Sequence, residues 1–227
     1  MEIYAARTFP ALFIFLDLGW LCIFIGFLLV FRKYQALIVG GIAGIIYFIV
    51  DYGYFYSVLH TRVVTGADTF WLLFWMSFSY GLTNFAWMWL LFERGKHWKE
   101  WSLLIIFGWI AVAFASQNFG SAFPVITTNR GTGTYHGIMA IILFIGYAIQ
   151  IFRNLGSKDT KEGGVNLLWL LGIGVGIQFA WEAVLLLAGI RPAHAVTLIV
   201  NSLIETNLGV PYAFWIFSAM NRKKKPD

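Results

Sequence analysis

The chain has 227 residues, 59% of them hydrophobic and only 12% charged, about half the charged share of a soluble domain. A water-soluble fold cannot hide that much apolar surface, so lipid must cover part of it. The net charge of +5 does not indicate a nucleic-acid partner, because the basic residues sit in short connections beside apolar runs, and the single cysteine, Cys22, excludes an intrachain disulfide and any multi-cysteine metal site.

A helix crosses the hydrocarbon core with about 20 apolar residues. Seven such stretches follow one another, at about 9–31, 36–59, 69–92, 100–119, 134–152, 165–189 and 194–219. They predict an all-α, polytopic membrane protein in which one seven-helix transmembrane domain occupies residues 1–227. The first stretch is too long for a cleaved signal peptide and lacks its basic flank. The second carries Gly40-x-x-x-Gly44, and the sixth carries Gly172, Gly174 and Gly176, small residues that let helices approach closely. The connection at 120–133, GSAFPVITTNRGTG, is rich in Gly, Pro and Thr and argues against helix, so it is read as an outer loop able to cap the space between helices. In the seventh stretch Pro211 lacks a backbone donor and frees the carbonyl of Asn207, which predicts a kink beside Glu205.

Basic residues in the connections set the orientation. Alternate connections hold 12 Lys and Arg on one side and 4 on the other, the four being Arg7, Arg62, Arg130 and Arg191. The N-terminus is therefore expected outside and the C-terminus in the cytoplasm, in a bacterial inner membrane or, for a eukaryotic source, the endoplasmic reticulum.

Four carboxylic acids, Asp17, Asp51, Glu182 and Glu205, fall within the apolar stretches, and no Lys or Arg lies mid-span to pair with them. An ionised acid at the bilayer centre costs roughly 2.5–3.5 kcal/mol on insertion scales, and desolvation favours the protonated form. At about 1.5 Å per residue, Asp17, Asp51 and Glu182 lie roughly 10–12 Å below the outer ends of their helices and Glu205 roughly 16 Å. One layer of acids facing a common cavity is expected. Residues three and four apart share a helix face, so Asp51 is flanked by Tyr47 and Tyr54 with Phe55 adjoining, Glu182 by Gln178 and Phe179, Glu205 by Asn201, and Asp17 by Trp20. A protonated acid among aromatic rings can protonate an apolar substrate, and the rings can stabilise the cation that results.

Several chemistries have no residues to support them. No Lys lies within a stretch to form a retinal Schiff base, and the aspartates are too scattered to hold a magnesium diphosphate. His60, His136 and His194 sit at outer helix ends without paired spacing for zinc. No metal and no cofactor is expected.

Seven spans in this length, the acid in Tyr47-Phe-Ile-Val-Asp51-Tyr and the acid-amide run Asn201-Ser-Leu-Ile-Glu205-Thr-Asn207-Leu-Gly-Val-Pro211-Tyr resemble the membrane-embedded terpene cyclases of fungal meroterpenoid and indole-diterpene pathways and their bacterial relatives. The likeness in layout covers nearly the whole chain, but the motifs are short. The resemblance implies that a membrane acid protonates an epoxide or alkene of a prenylated substrate and that cyclisation follows without metal. Asp51 then corresponds to the second-helix acid and Glu205 to the seventh-helix acid. The chain departs from the family at the former, where a Glu following Asn-x-x-Trp is replaced by an Asp without that lead. On this reading Asp51, Glu205 and Glu182 are catalytic. Tyr47, Tyr54, Phe55, Asn201, Gln178, Phe179, Trp181, Asp17 and Trp20 bind a hydrophobic substrate that enters from lipid. Two other readings stay open: a proton-coupled small-molecule transporter using the buried carboxyls, and a sensor or assembly factor without chemistry.

Overall fold

A computed structural model describes residues 6–131, 135–156, 165–192 and 194–222. Among them are seven α-helices: α1 (Leu12–Val30), α2 (Tyr34–Phe48), α3 (Thr69–Glu93), α4 (Trp98–Phe119), α5 (Tyr135–Gly156), α6 (Leu167–Leu187) and α7 (Ala195–Arg222). Each falls on an expected stretch. Five of them are long and apolar enough to cross a membrane: α1, α2 with its continuation to Tyr56, α4, α5 and α6. The other two, α3 and α7, carry the polar residues of the interior. Ser77, Ser79, Thr83 and Asn84 of α3 and Asn201, Ser202, Thr206 and Asn207 of α7 are all buried. The connection at 157–164 and the basic tail at 223–227 lie outside the described residues, as do residues 132–134 at the end of the outer connection.

The fold is not purely helical. Three short strands, β1 (Arg7–Pro10), β2 (Arg62–Thr65) and β3 (Val125–Arg130), form an antiparallel sheet in the order β1-β3-β2. Arg7 pairs with Thr128, and Arg62 with Arg130. The outer connection expected as a plain loop therefore begins with a short 3₁₀ turn at Gly120–Ala122 and continues as the central strand. Its Val-Ile-Thr-Thr run and the Arg-Val-Val-Thr of β2 are β-branched and suit a pleated surface. The sheet joins the ends of α1 to α5 and roofs that end of the bundle. Thr8 N donates to Ile190 O at 2.9 Å, which ties the connection between α6 and α7 to the same roof.

Helix α3 is the most enclosed helix, and α2 lies directly against it. A Cβ on Gly40 would come within 2.5 Å of the Leu82 carbonyl oxygen, and one on Gly81 within 2.4 Å of the Gly44 backbone. The Gly40-x-x-x-Gly44 spacing thus does bring two backbones together. On α6 only Gly174 has that role, since its Cβ would meet Asn207 Oδ1 at 2.5 Å, whereas Gly172 and Gly176 face open space. Helix α7 continues through Pro211. The ring of Pro211 lies over Gly146 of α5, and its carbonyl accepts a bond from Gln150 Nε2 at 2.7 Å.

Beyond Phe48 the chain of α2 widens into a π-helical turn, Ile49–Tyr56. Such turns are rare and concentrate at functional sites. Here the turn presents Asp51 to the interior, 2% exposed.

Candidate functional site

Under the sheet a cavity of about 650 Å³ runs between α2, α3, α5 and α7, within the range of about 300–1,000 Å³ usual for small-molecule sites. Its outer end is charged and its length is apolar. Arg7, Arg62, Arg130, Arg191, Asp51 and Glu205 line the charged end. Val39, Trp89 and Ile216 line the far end. Twelve residues of helix separate Asp51 from Val39, so the channel is roughly 18 Å deep at about 1.5 Å per residue. Ile42 and Ile46 of α2 and Ile138 and Ile142 of α5 line it while remaining 40–55% exposed, so the channel opens sideways between these two helices.

The arginines come from the roof rather than from the spans. Arg62 Nε donates to Asp51 Oδ1 at 2.6 Å, and Arg130 Nη2 lies 2.9 Å from Asp51 Oδ2. Arg62 is fixed further by donating to the Gly131 carbonyl at 2.7 Å and by lying 4.2 Å above the Phe55 ring. Arg191 pairs with Glu182, and both side chains are nearly inaccessible. These pairs overturn the expectation that the acids lack cationic partners and stay protonated. Asp51 and Glu182 are ion-paired carboxylates, which is how buried charges are tolerated. Burial, and after it the neighbouring Arg130, lower the Arg62 guanidinium to about 10 against the pull of Asp51. At Arg130 burial also acts downward, but Asp51 and Glu205 outweigh it and the group is raised. All remain cations at neutral pH.

A hydrogen-bonded relay joins the acids of α6 and α7. Gln178 Nε2 donates to Glu205 Oε2 at 2.7 Å and to Glu182 Oε1 at 3.1 Å. Its carbonyl oxygen accepts from Tyr80 at 2.6 Å and from Thr206 at 2.6 Å, so every polar atom of the amide is used. Thr206 also accepts from Asn84 Nδ2 at 3.4 Å, so the amides opening Asn84-Phe-Ala-Trp87 and Gln178-Phe-Ala-Trp181 meet on one hydroxyl. Glu205 is half-buried, and its second oxygen makes no hydrogen bond among the described residues. Glu205 is therefore the cavity carboxyl with an oxygen left over for a ligand.

Of the residues singled out from the sequence, Asp51, Glu205, Tyr47, Tyr54 and Phe55 line the cavity. Glu182 and Gln178 stand behind its wall and act through Arg191 and Glu205. The others lie elsewhere. Asp17 accepts from Trp75 Nε1 at 2.8 Å between α1 and α3, away from the other acids. Trp20 packs on Phe24 and over Gly108, between α1 and α4. Trp181 packs on Trp109, with Arg7 5.8 Å from its ring centre. Phe179 points outward, 50% exposed, because one step along a helix turns a side chain away from Gln178. Asn201 is buried, but among the described residues its Nδ2 has no partner and it does not hold Glu205. Depth in a helix says nothing about azimuth, which is why matching depths did not gather all four acids.

The sequence reading missed Tyr80, Tyr135 and the four arginines. Tyr80 packs edge-on against Tyr47 at 5.0 Å, and Tyr135 against Phe55 at 5.4 Å. The available signal was that the sparse outer basic residues, one per connection, are the very four that line the cavity. Neither family models, nor curated proteins, nor solved structures yield a match to this chain.

Proposed function

We propose that the chain is a seven-span membrane enzyme, N-terminus outside and C-terminus cytoplasmic, that cyclises an isoprenoid or prenylated substrate by proton transfer, as in the membrane-embedded terpene cyclases it resembles. The observation that carries this reading is Glu205: a carboxyl oriented by an amide, with one oxygen free, on the wall of a tyrosine-lined channel open toward lipid. The orientation gains support from burial of Arg7, Arg62 and Arg191, since those outer charges belong to the site rather than to a solvated surface.

The roles differ from the sequence-based expectation. Glu205 gives its proton to an epoxide oxygen or an alkene carbon. The epoxide C–O bond breaks, or the alkene π pair takes the proton, and the next alkene closes a ring onto the cation. Asp51 stays a carboxylate under Arg62 and Arg130. It offsets positive charge on the intermediate, and the proton lost when the last cation becomes an alkene returns to Glu205, which restores the donor. Tyr47, Tyr54, Phe55, Tyr80 and Tyr135 line the channel, and an aromatic face stabilises a cation brought against it. Substrate and product are isomers, and no reductant or oxidant is consumed.

Purified in detergent, the full chain is expected to convert an epoxidised or plain prenylated substrate into a cyclic isomer of unchanged mass, resolved by gas chromatography with mass detection. Folded protein that returns every such substrate unchanged would remove the cyclase reading.

A further inference from the structure

Four guanidinium groups at the charged end meet three carboxylates, those of Asp51, Glu182 and Glu205. Asp51 takes two of the arginines and Glu182 takes Arg191. The guanidinium left over is Arg7, and the acid left over is Glu205, which acts on Arg7 through space without a hydrogen bond or ion pair to it. Arg7 is only 6% exposed, yet its side chain makes no hydrogen bond and no ion pair among the described residues. The Trp181 ring lies 5.8 Å from the guanidinium carbon, and Glu205 and Tyr80 are near enough to act on its charge. Burial, with Arg130 beside it, lowers Arg7 to about 10, so it still carries its charge at neutral pH.

A buried, unpaired charge is expensive unless something neutralises it. Strand β1 holds Arg7 in place by pairing it with Thr128, and the residue lines the cavity, so it cannot relax into solvent without undoing the roof. A planar guanidinium is matched by the paired oxygens of a carboxylate or phosphate. The space beyond it is a single apolar channel, open along one side. Charge and shape together describe an amphiphile with an anionic oxygen head and one hydrocarbon tail.

We infer that the substrate carries a carboxylate or phosphate head that pairs with Arg7 beneath the sheet, while its isoprenoid tail lies down the channel between α2 and α5. This rests on the cyclase reading for the identity of the tail, and it names the head that such a substrate must bring. The ion pair anchors the head at the charged end, so that the alkene or epoxide nearest the head, not the one at the tail tip, falls at a fixed depth beside Glu205. A neutral prenyl alcohol enters the same channel without that anchor and leaves Arg7 unpaired.

The test is binding, measured by isothermal titration on the full chain in non-ionic detergent. The probes are geranylgeranyl monophosphate, geranylgeranoic acid, geranylgeraniol and dioleoyl phosphatidic acid. The two single-chain anions are expected to bind about 30-fold more tightly than the alcohol, the scale on which loss of one partner from a buried charge pair is felt. In Arg7→Gln that preference disappears while affinity for the alcohol persists, which also certifies the fold; Arg7→Lys keeps part of it. Exposed Arg94→Gln, remote from the cavity, leaves all affinities unchanged. Equal binding of acid, phosphate and alcohol to the wild type would overturn the inference, as would a preference that survives in Arg7→Gln. Tighter binding of phosphatidic acid than of either single-chain anion would overturn it too, by assigning the site to a membrane lipid. Because the readout is affinity, tight binding of the anions without any cyclic product counts against the cyclase reading alone. Cyclic product from neutral substrates with no anion preference counts against this inference alone.

Discussion

Replacing Asp51 by Asn is expected to destabilise the protein by about 3–5 kcal/mol, the usual cost of removing one partner from a buried ion pair. For a chain of this size that is a fall in melting temperature of roughly 6–20 °C. The cause lies in what remains. Arg62 and Arg130 both point at Asp51, from 2.6 and 2.9 Å. Without the carboxylate, two guanidinium groups face each other in a space from which water is largely excluded, and the amide that replaces the acid satisfies neither charge. Arg62→Gln is the milder change, since Arg130 still pairs with Asp51. In Asp51→Asn/Arg62→Gln the loss should be smaller than the two single losses together, because one of the stranded cations is gone. Thermal melts of the four proteins in detergent measure this. A melting temperature for Asp51→Asn within 2 °C of the wild type would show that the ion pairs under the sheet do not form.

The second large effect falls on turnover. Glu205→Gln is expected to slow formation of any cyclic product by about 10²–10⁴-fold, the contribution of a positioned general acid. It should leave the melting temperature close to that of the wild type. The carbonyl oxygen of a glutamine can still accept from Gln178 Nε2, so the relay of Tyr80, Thr206, Gln178 and Glu182 keeps its geometry. Asp51→Asn lowers both stability and turnover, whereas Glu205→Gln lowers turnover alone. Undiminished rates in a folded Glu205→Gln protein would transfer the donor role to another group on the cavity wall.

The helices were readable because a span must be long and apolar, and few other segments satisfy both. The close approach of α2 to α3 was readable for the same kind of reason: glycine at Gly40 and Gly44 leaves room that only a neighbouring backbone fills. The sheet was not readable. Its strands have four to six residues, too few for alternation to stand out, and each takes its meaning from partners more than fifty residues away. With the sheet unseen, its arginines passed for ordinary outer charges and the acids passed for unpaired. Asp17 shows the other limit. It sits at the depth of the other acids but faces Trp75 between α1 and α3, and only the packing of one helix on another decides which way a side chain points. Tyr80 was missed because its partners, Gln178 and Thr206, lie on two other helices.

The claim on which these readings depend is that the charged layer heads a channel occupied by a hydrocarbon tail. A prenyl acid bearing a diazirine at the far end of its tail tests it most directly, with photolysis in the presence of the full chain and mapping of adducts by peptide mass spectrometry. Adducts should fall on Val39, Trp89 and Ile216 at the far end of the channel. Adducts spread instead over outward-facing side chains such as Phe15, Phe144 and Phe152, with none on the channel residues, would contradict it.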